Sequence, residues 1–275
     1  MIFFLENVLD IEFINGISKD EYIDSIAKMS SYSHKGALML DVIMSLMWNT
    51  NDSLVIDCKN GERHIYYHQK WKNNTLSFLK NDSILYINLN RVYNSTVRQV
   101  KKILQKNTIK YVFVDFRNGP ERWQSWRIIN FFGRKARFSF YQEGFFYCLN
   151  NYSYQKEGYQ ESGDGLKFYT GNIYALIDEI SQSSDETGCM ILKTNPNSIF
   201  IGRNTVGANG NVGTIQLPFE LLTEFSYLKY SYPNGENYQN KGIKPDIKIN
   251  ICGIKTIEQI EAIIQKCNLY KYGKK

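Results

Sequence analysis

The sequence predicts an α/β fold with a partly parallel sheet, and three observations point there. Short apolar runs alternate with stretches of helical spacing through most of the chain, the rhythm of strand–helix–strand units. Two of the runs, Tyr111–Asp115 and Ile173–Ile177, are apolar almost throughout rather than alternating, which marks strands covered on both faces. The second of these ends in a polar turn that opens a helix, and a glycine-rich segment, Gly202–Gly213, follows.

The elements follow in order. Leu9–Phe13 alternates as a strand and Asn15-Gly16 makes a turn. Asp20–Met29 has helical spacing, with Tyr22, Ile23, Ile26 and Met29 on one side, and His34–Trp48 reads as a more apolar helix. Ser53–Asp57 and Arg63–His68 form a hairpin around Lys59-Asn60-Gly61. A polar link, Lys72–Thr75, separates this small α/β unit, residues 1–75, from a larger one, residues 76–275. The larger unit opens with strand Ile84–Leu89, helix Thr96–Leu104 and strand Tyr111–Asp115. A loop, Phe116–Glu121, precedes a Trp-rich helix, Trp123–Phe132, and Ala136–Tyr154 holds two polar–aromatic strands. Beyond the Ile173 strand come strands at Ser198–Ile201, Thr214–Leu217 and Ser226–Tyr232, and a closing helix Thr256–Lys266.

Composition narrows the function. A chain of 275 residues with 43% hydrophobic content buries a good core, and the net charge of +6 is scattered, with lysines single or paired. That pattern argues against nucleic-acid binding. The five cysteines are odd in number, widely spaced and without a C-x-x-C pair, which argues against a disulfide framework and structural zinc and suits a reducing compartment. No metal or organic cofactor is implied. The apolar stretch Ala37–Trp48 contains Asp41 and is too short to span a bilayer, and Met1–Glu6 lacks a signal-peptide core, so a cytoplasmic protein without membrane contact is expected.

The chemistry concentrates at Gln182-Ser183-Ser184-Asp185-Glu186. One reading is structural: Ser183 N-caps the helix and Glu186, three residues on, closes a capping box. The other is catalytic, because a hydroxyl at the positive end of a helix sits where developing oxyanion charge is favoured.

Six segments in order carry a resemblance. They are Ile84–Leu89, Tyr111–Asn118, Gln182–Glu186, Ile201–Gly210, Pro233-Asn234-Gly235 and Gly242-Ile243-Lys244-Pro245-Asp246-Ile247. Together they resemble the tail-specific (C-terminal processing) serine peptidases, nearest to the tricorn-core and retinoid-binding-protein branch. The resemblance covers about residues 80–250 and implies a Clp/crotonase-like core. The hairpin through Cys58-Lys59-Asn60-Gly61 resembles the second half of a PDZ-like module, so the N-terminal unit is expected to be a truncated one that braces the core rather than gripping a peptide tail.

By this resemblance Ser183 is the nucleophile and Glu186 the acid one helical turn later. Main-chain N–H groups of Ser184 and of the loop at Gly119 form the oxyanion hole, and Thr205 and Gly207 shape the loop facing the serine. Tyr147–Tyr154 and Tyr227–Tyr232 are candidate groove walls, or plain edge and core aromatics. Four positions depart from the family pattern. Ala208 stands where the Ser–Lys branch keeps its lysine, and Asn88 where the tricorn branch keeps a histidine. Gln239 replaces an orienting glutamate, and Pro120, which has no N–H, follows Gly119. A serine needs a base to attack at neutral pH. Of the three histidines, His34, His64 and His68, the preferred stand-in is His34, after the polar Ser31-Tyr32-Ser33.

Two functions follow. One is a serine endopeptidase acting on peptides or unfolded polypeptide through Ser183, with a non-standard or partner-supplied base. The other is an inactive homologue that binds a peptide or ligand, or serves as an accessory protein. A homo-oligomer or an accessory partner is the expected company of the chain.

Overall fold

A computed structural model of the chain describes residues 10–30, 35–47, 53–67, 78–106, 108–117, 123–133, 140–148, 151–159, 169, 171–251, 254 and 256–272. It divides the chain into two units, Met1–Asn74 with Ile251–Ile254, and Thr75–Asn250 with Lys255–Lys275.

The first unit contains β1 (Ile11–Ile14), β2 (Ile17–Ser18), α1 (Lys19–Met29), α2 (Lys35–Met47), β3 (Ser53–Cys58) and β4 (Arg63–Tyr67). The strands form an antiparallel sheet in the order β2-β1-β3-β4. Asn15 and Gly16 take φ of 50° and 79°, the paired left-handed residues that a two-residue hairpin turn requires. Ser18 caps α1 by accepting the Glu21 N–H at 3.3 Å. Leu38, Val42 and Leu46, four residues apart on α2, share a core with Ile11, Ile14, Ile56 and Cys58.

The second unit holds β5 (Phe78–Lys80), β6 (Ile84–Asn88), α3 (Asn94–Gln105), β7 (Tyr111–Asp115), α4 (Trp123–Phe132), β8 (Phe140–Cys148), β9 (Asn151–Tyr159), β10 (Asn172–Ile177) and α5 (Ser184–Lys193). It continues with β11 (Ser198–Gly202), β12 (Val212–Gln216), β13 (Leu222–Ser226), β14 (Leu228–Ser231), β15 (Ile247–Lys248) and α6 (Ile257–Tyr272). The main sheet runs β15-β11-β10-β7-β6-β5, parallel from β6 to β15 with β5 antiparallel at the edge. Each parallel strand is added beside the one before it, so all their carboxyl ends open on one side. The last residues there are Asn88, Asp115, Ile177, Gly202 and Lys248, and loops leaving such ends are where α/β sheets place their chemistry.

Burial explains the unbroken apolar runs: β6 is buried throughout and β10 at all but its first residue. Helix α3 lays one stripe, Thr96, Val100 and Leu104, on the sheet side. Helix α5 is buried on nearly every side. Its Gly188 is a close-approach point: a Cβ there would meet Ile129 Cδ1 at 2.8 Å and Phe116 Cε1 at 2.9 Å.

Two expectations need correction. The polar–aromatic strands run Phe140–Cys148 and Asn151–Tyr159, later than read, because alternation sets a period but not a register. The strand expected at Ser226–Tyr232 is split between two sheets. Leu222–Ser226 pairs with β12, whereas Leu228–Ser231 pairs with β8 in a β14-β8-β9 sheet.

Candidate active site

The site starts where β10 ends. Asp178 forms a tight turn there: its Oδ1 accepts the Ile180 N–H at 3.0 Å, and its carbonyl accepts the Ser181 N–H at 3.0 Å. The buried Ser181 hydroxyl donates to the Phe116 carbonyl at 3.4 Å, and the Ser181 carbonyl accepts the Val206 N–H at 3.3 Å. The turn is thereby tied to the end of β7 on one side and to the glycine-rich loop on the other.

Ser183 follows, at the N-cap of α5, with φ 53° and ψ −113°. An N-cap normally has extended backbone and a side chain bonded to the first turn. Here the side chain caps nothing, so the hydroxyl half of the capping box is overturned. Among the described residues nothing hydrogen-bonds the Ser183 hydroxyl. Ser183 and Ser184 are both exposed, and no main-chain carbonyl among the described residues accepts the Ser184 N–H. An exposed hydroxyl and a free helix-end donor lie side by side. The backbone conformation is one that side chains disfavour, and such strain gathers at functional sites.

Glu186 does not behave as a cap closer. It is fully buried, and its Oε1 accepts the Gly207 N–H at 2.7 Å and the Thr205 hydroxyl. Thr205 in turn accepts the Ile243 N–H at 2.7 Å. Oε2 has no hydrogen-bond partner. Burial pushes the carboxyl up to about 7, against the pull of Thr205, Gly207 and the N–H groups of Ser183 and Ala208. The backward half of the capping box therefore survives only as an electrostatic effect. Its neighbour Asp185 is buried too and raised by that burial; its Oδ2 accepts the Gln182 N–H at 3.3 Å and its Oδ1 has no partner.

A second buried cluster lies at the end of β7. Arg117 forms a fork on Asp115, Nε to Oδ1 at 2.8 Å and a terminal nitrogen to Oδ2 at 2.7 Å. The Arg117 N–H also meets Oδ1, at 3.0 Å, and the Tyr86 hydroxyl donates to Oδ2 at 2.7 Å. Burial opposes the guanidinium charge, but the Asp115 carboxylate outweighs it and the net shift is upward. Asp178 adds to that attraction. The Asp178 carboxyl is itself lifted to about 6 by burial, against the pull of Arg117.

The structure gathers Ser183, Ser184, Glu186, Thr205 and Gly207 around the start of α5. Ala208 sits exposed on that loop. Asn88 is employed locally, its Oδ1 accepting the Asn90 N–H at 3.0 Å. Gln239 is fully engaged: its Nε2 donates to the Leu228 carbonyl at 3.1 Å and to the Asn209 carbonyl, and its Oε1 accepts the Tyr230 N–H at 3.1 Å. It stitches the loop to β14, with both donated bonds spent on main-chain carbonyls. Of the candidate groove walls, Tyr230 is buried and Tyr154 and Tyr227 are exposed. His64 lies on β4, its Nε2 3.5 Å from the Glu62 carboxylate. Gly119, Pro120, His34 and His68 lie outside the described residues.

Sequence reading missed Asp178, Ser181 and Asn209. Asn209 Nδ2 donates to Thr187 Oγ1 at 2.7 Å and to the Tyr238 hydroxyl at 2.6 Å, joining α5 to the loop. The available signal for Asp178 and Ser181 was two polar residues just after the apolar run Ile173–Ile177.

The sequence profile of Peptidase family S41 matches residues 83–249, more than half of the chain. The chain belongs to peptidase family S41. A relative from Staphylococcus aureus (strain COL), named "Probable CtpA-like serine protease", is 24% identical over 236 residues, covering 82% of this chain and 46% of its own length. The S41 chain thus spans about half the length of the curated relatives it matches. Among solved structures, mature CPAF complexed with lactacystin superposes with a TM-score of 0.60 at 12% identity, over 86% of this chain and 72% of that one. The photosystem II D1 C-terminal processing protease gives 0.55 at 14% identity, over 87% and 62%. At these identities the superpositions establish the S41 fold alone.

Proposed function

We propose that this S41 chain is a serine endopeptidase acting on peptides or unfolded polypeptide segments through an acyl-enzyme on Ser183. The observation that carries the reading is the state of that serine. Its hydroxyl is exposed at a helix N-terminus, caps nothing, and rides on a backbone conformation that a purely structural serine has no reason to occupy. The Ser184 N–H supplies one oxyanion donor and the loop at Gly119 the other. Thr205 and Gly207 hold Glu186, which fixes the loop facing the serine. The base is non-standard: His34 or a group from a partner, including a second copy of the chain. The buried cysteines Cys58, Cys189 and Cys267, none of them in a disulfide, suit the cytoplasmic location we assign. Among the described residues, no helix is long and apolar enough to cross a membrane.

A second reading, an inactive peptide-binding or accessory homologue, is favoured by Asn88 and Gln239, whose side chains are committed to main-chain partners. The test incubates the parent protein and its Ser183→Ala variant with unfolded proteins across a range of pH and reads new termini by mass spectrometry. Cleavage that vanishes in the variant supports the endopeptidase, and its pH profile reports the base. Equal background in both, with both folded, supports the second reading.

A further inference from the structure

Ser183 is held in an unfavourable backbone conformation, so something around it must hold it there. The residues after it contribute through ordinary helix bonds, such as the Thr187 N–H to the Ser183 carbonyl at 3.1 Å. The residues before it do not belong to a helix. Their hold comes from the turn Asp178–Ser181, and that turn and the strand before it are bound to two consecutive residues just after β7, Phe116 and Arg117. The Phe116 N–H donates to the Leu176 carbonyl at 3.0 Å, the Phe116 carbonyl accepts the Ser181 hydroxyl at 3.4 Å, and Arg117 attracts Asp178. Those two residues have one conformation because Asp115, the last residue of β7, accepts both the main-chain and the side-chain donors of Arg117, with Tyr86 on its second oxygen. Asp115, Arg117 and Asp178 are 3%, 6% and 5% exposed, so water cannot replace any member of the set.

We infer that Arg117, with Asp115 and Tyr86, is a positioning residue for the nucleophile: the buried fork fixes the end of β7, and β7 fixes the turn that presents Ser183. The inference rests on the proposed role of Ser183 for its kinetic consequence and on geometry alone for its structural one. Arg117 touches no reacting atom. Its chemistry is specific nonetheless, because lysine keeps the charge but has no planar fork with which to occupy both oxygens of Asp115. Displacing a reacting group by about 1 Å costs on the order of 100-fold in rate.

The test uses Arg117→Lys and the milder Tyr86→Phe, which deletes one hydroxyl and keeps the ring. The probe is a fluorophosphonate that phosphonylates serine nucleophiles, with its reversible binding constant and bond-forming rate measured separately. A parallel measurement follows amide hydrogen exchange at residues 180–187 and, as a remote reference, in α3. Expected for Arg117→Lys is a bond-forming rate lower by on the order of 100-fold, with reversible binding within about twofold of the parent. Exchange at 180–187 rises about tenfold or more while α3 stays at parent values. Tyr86→Phe shifts the same quantities in the same sense by less, and carries the test if Arg117→Lys does not fold. Parent-like exchange at 180–187, or an equal rise there and in α3, overturns the inference. A parent protein that the probe never labels at Ser183 overturns the proposed function instead, and the exchange comparison still decides the positioning role.

Discussion

Glu186 Oε1 accepts the main-chain N–H of Gly207 at 2.7 Å, a bond that joins the helix carrying the candidate nucleophile to the loop facing it across 21 residues of sequence. The Thr205 hydroxyl lands on the same oxygen, leaving Oε2 without a hydrogen bond. A buried carboxyl with one oxygen satisfied and the other bare is poised between its two protonation states, and this shapes how the protein responds to pH.

Burial lifts Glu186 from 4.5 to about 7. Between those values the folded chain holds a proton that the unfolded chain has released, so unfolding releases a proton and stability falls as pH rises through the interval. The loss from this group is on the order of 3 kcal/mol. Glu186→Gln keeps an acceptor for Gly207 and Thr205 and removes the ionisation. Urea unfolding is expected to place the variant within about 1 kcal/mol of the parent at pH 5 and about 2 kcal/mol above it at pH 8.5. A slope of the same sign persists in the variant, because Asp178 and Asp185 are also raised by burial.

Thr205→Val deletes a hydroxyl that both donates to Glu186 and accepts from Ile243. A buried N–H and a buried carboxyl each lose a partner, so a loss of about 2–4 kcal/mol is expected in chemical unfolding. Because that hydroxyl draws the Glu186 carboxyl downward, its titration midpoint moves above 7 in the variant, as followed by carboxyl carbon NMR.

Gln239→Glu restores the family acid in name, but the structure predicts damage. The Gln239 amide nitrogen donates to the carbonyls of Asn209 and Leu228, and a carboxylate there faces two acceptors. The expected result is a loss of about 2–4 kcal/mol at pH 8 that shrinks below pH 5, where a protonated carboxyl donates again, with no gain in peptidase activity.

Ser183→Gly and Ser183→Ala separate backbone from hydroxyl. Alanine keeps the Cβ and the strain at φ 53°, so its melting temperature stays near the parent's. Glycine removes the strain and is expected to stabilise by about 1–2 kcal/mol, a rise of roughly 3–6 °C by calorimetry. A lower melting temperature for glycine than for alanine contradicts the account of this turn.

Gly242 is a point where no side chain fits. A Cβ would lie 1.9 Å from the Thr205 carbonyl oxygen, on a backbone with φ +73°. Gly242→Ala is expected to cost more than about 4 kcal/mol and to remove, together with the fold, any cleavage the parent shows, read by circular dichroism beside the cleavage assay.

Much of this was legible in the sequence, for identifiable reasons. The continuous apolar runs at Tyr111–Asp115 and Ile173–Ile177 specify buried parallel strands almost unaided, since two covered faces leave no polar position to place. Ser183, Glu186, Thr205 and Gly207 were legible as a set through family likeness. Less legible was how polar side chains divide their bonds. Nothing local distinguishes a serine that caps a helix from one that does not, and the S-x-x-E spacing suits both. Likewise Ser181 looks like an ordinary loop residue in sequence, because the Phe116 carbonyl that its hydroxyl meets, 65 residues away, is brought beside it only by folding. The short strands β5 and β15 were missed because two or three residues carry no period.

Folding supplies no reason for a serine at position 183. Its hydroxyl bonds to none of the described residues, and its backbone suits glycine better. Random change filtered by stability alone would drift this position toward glycine, or indifferently toward alanine. A serine at this position is therefore accounted for by neither packing nor hydrogen bonding among the described residues, and it is the proposed acyl transfer that would give it a use.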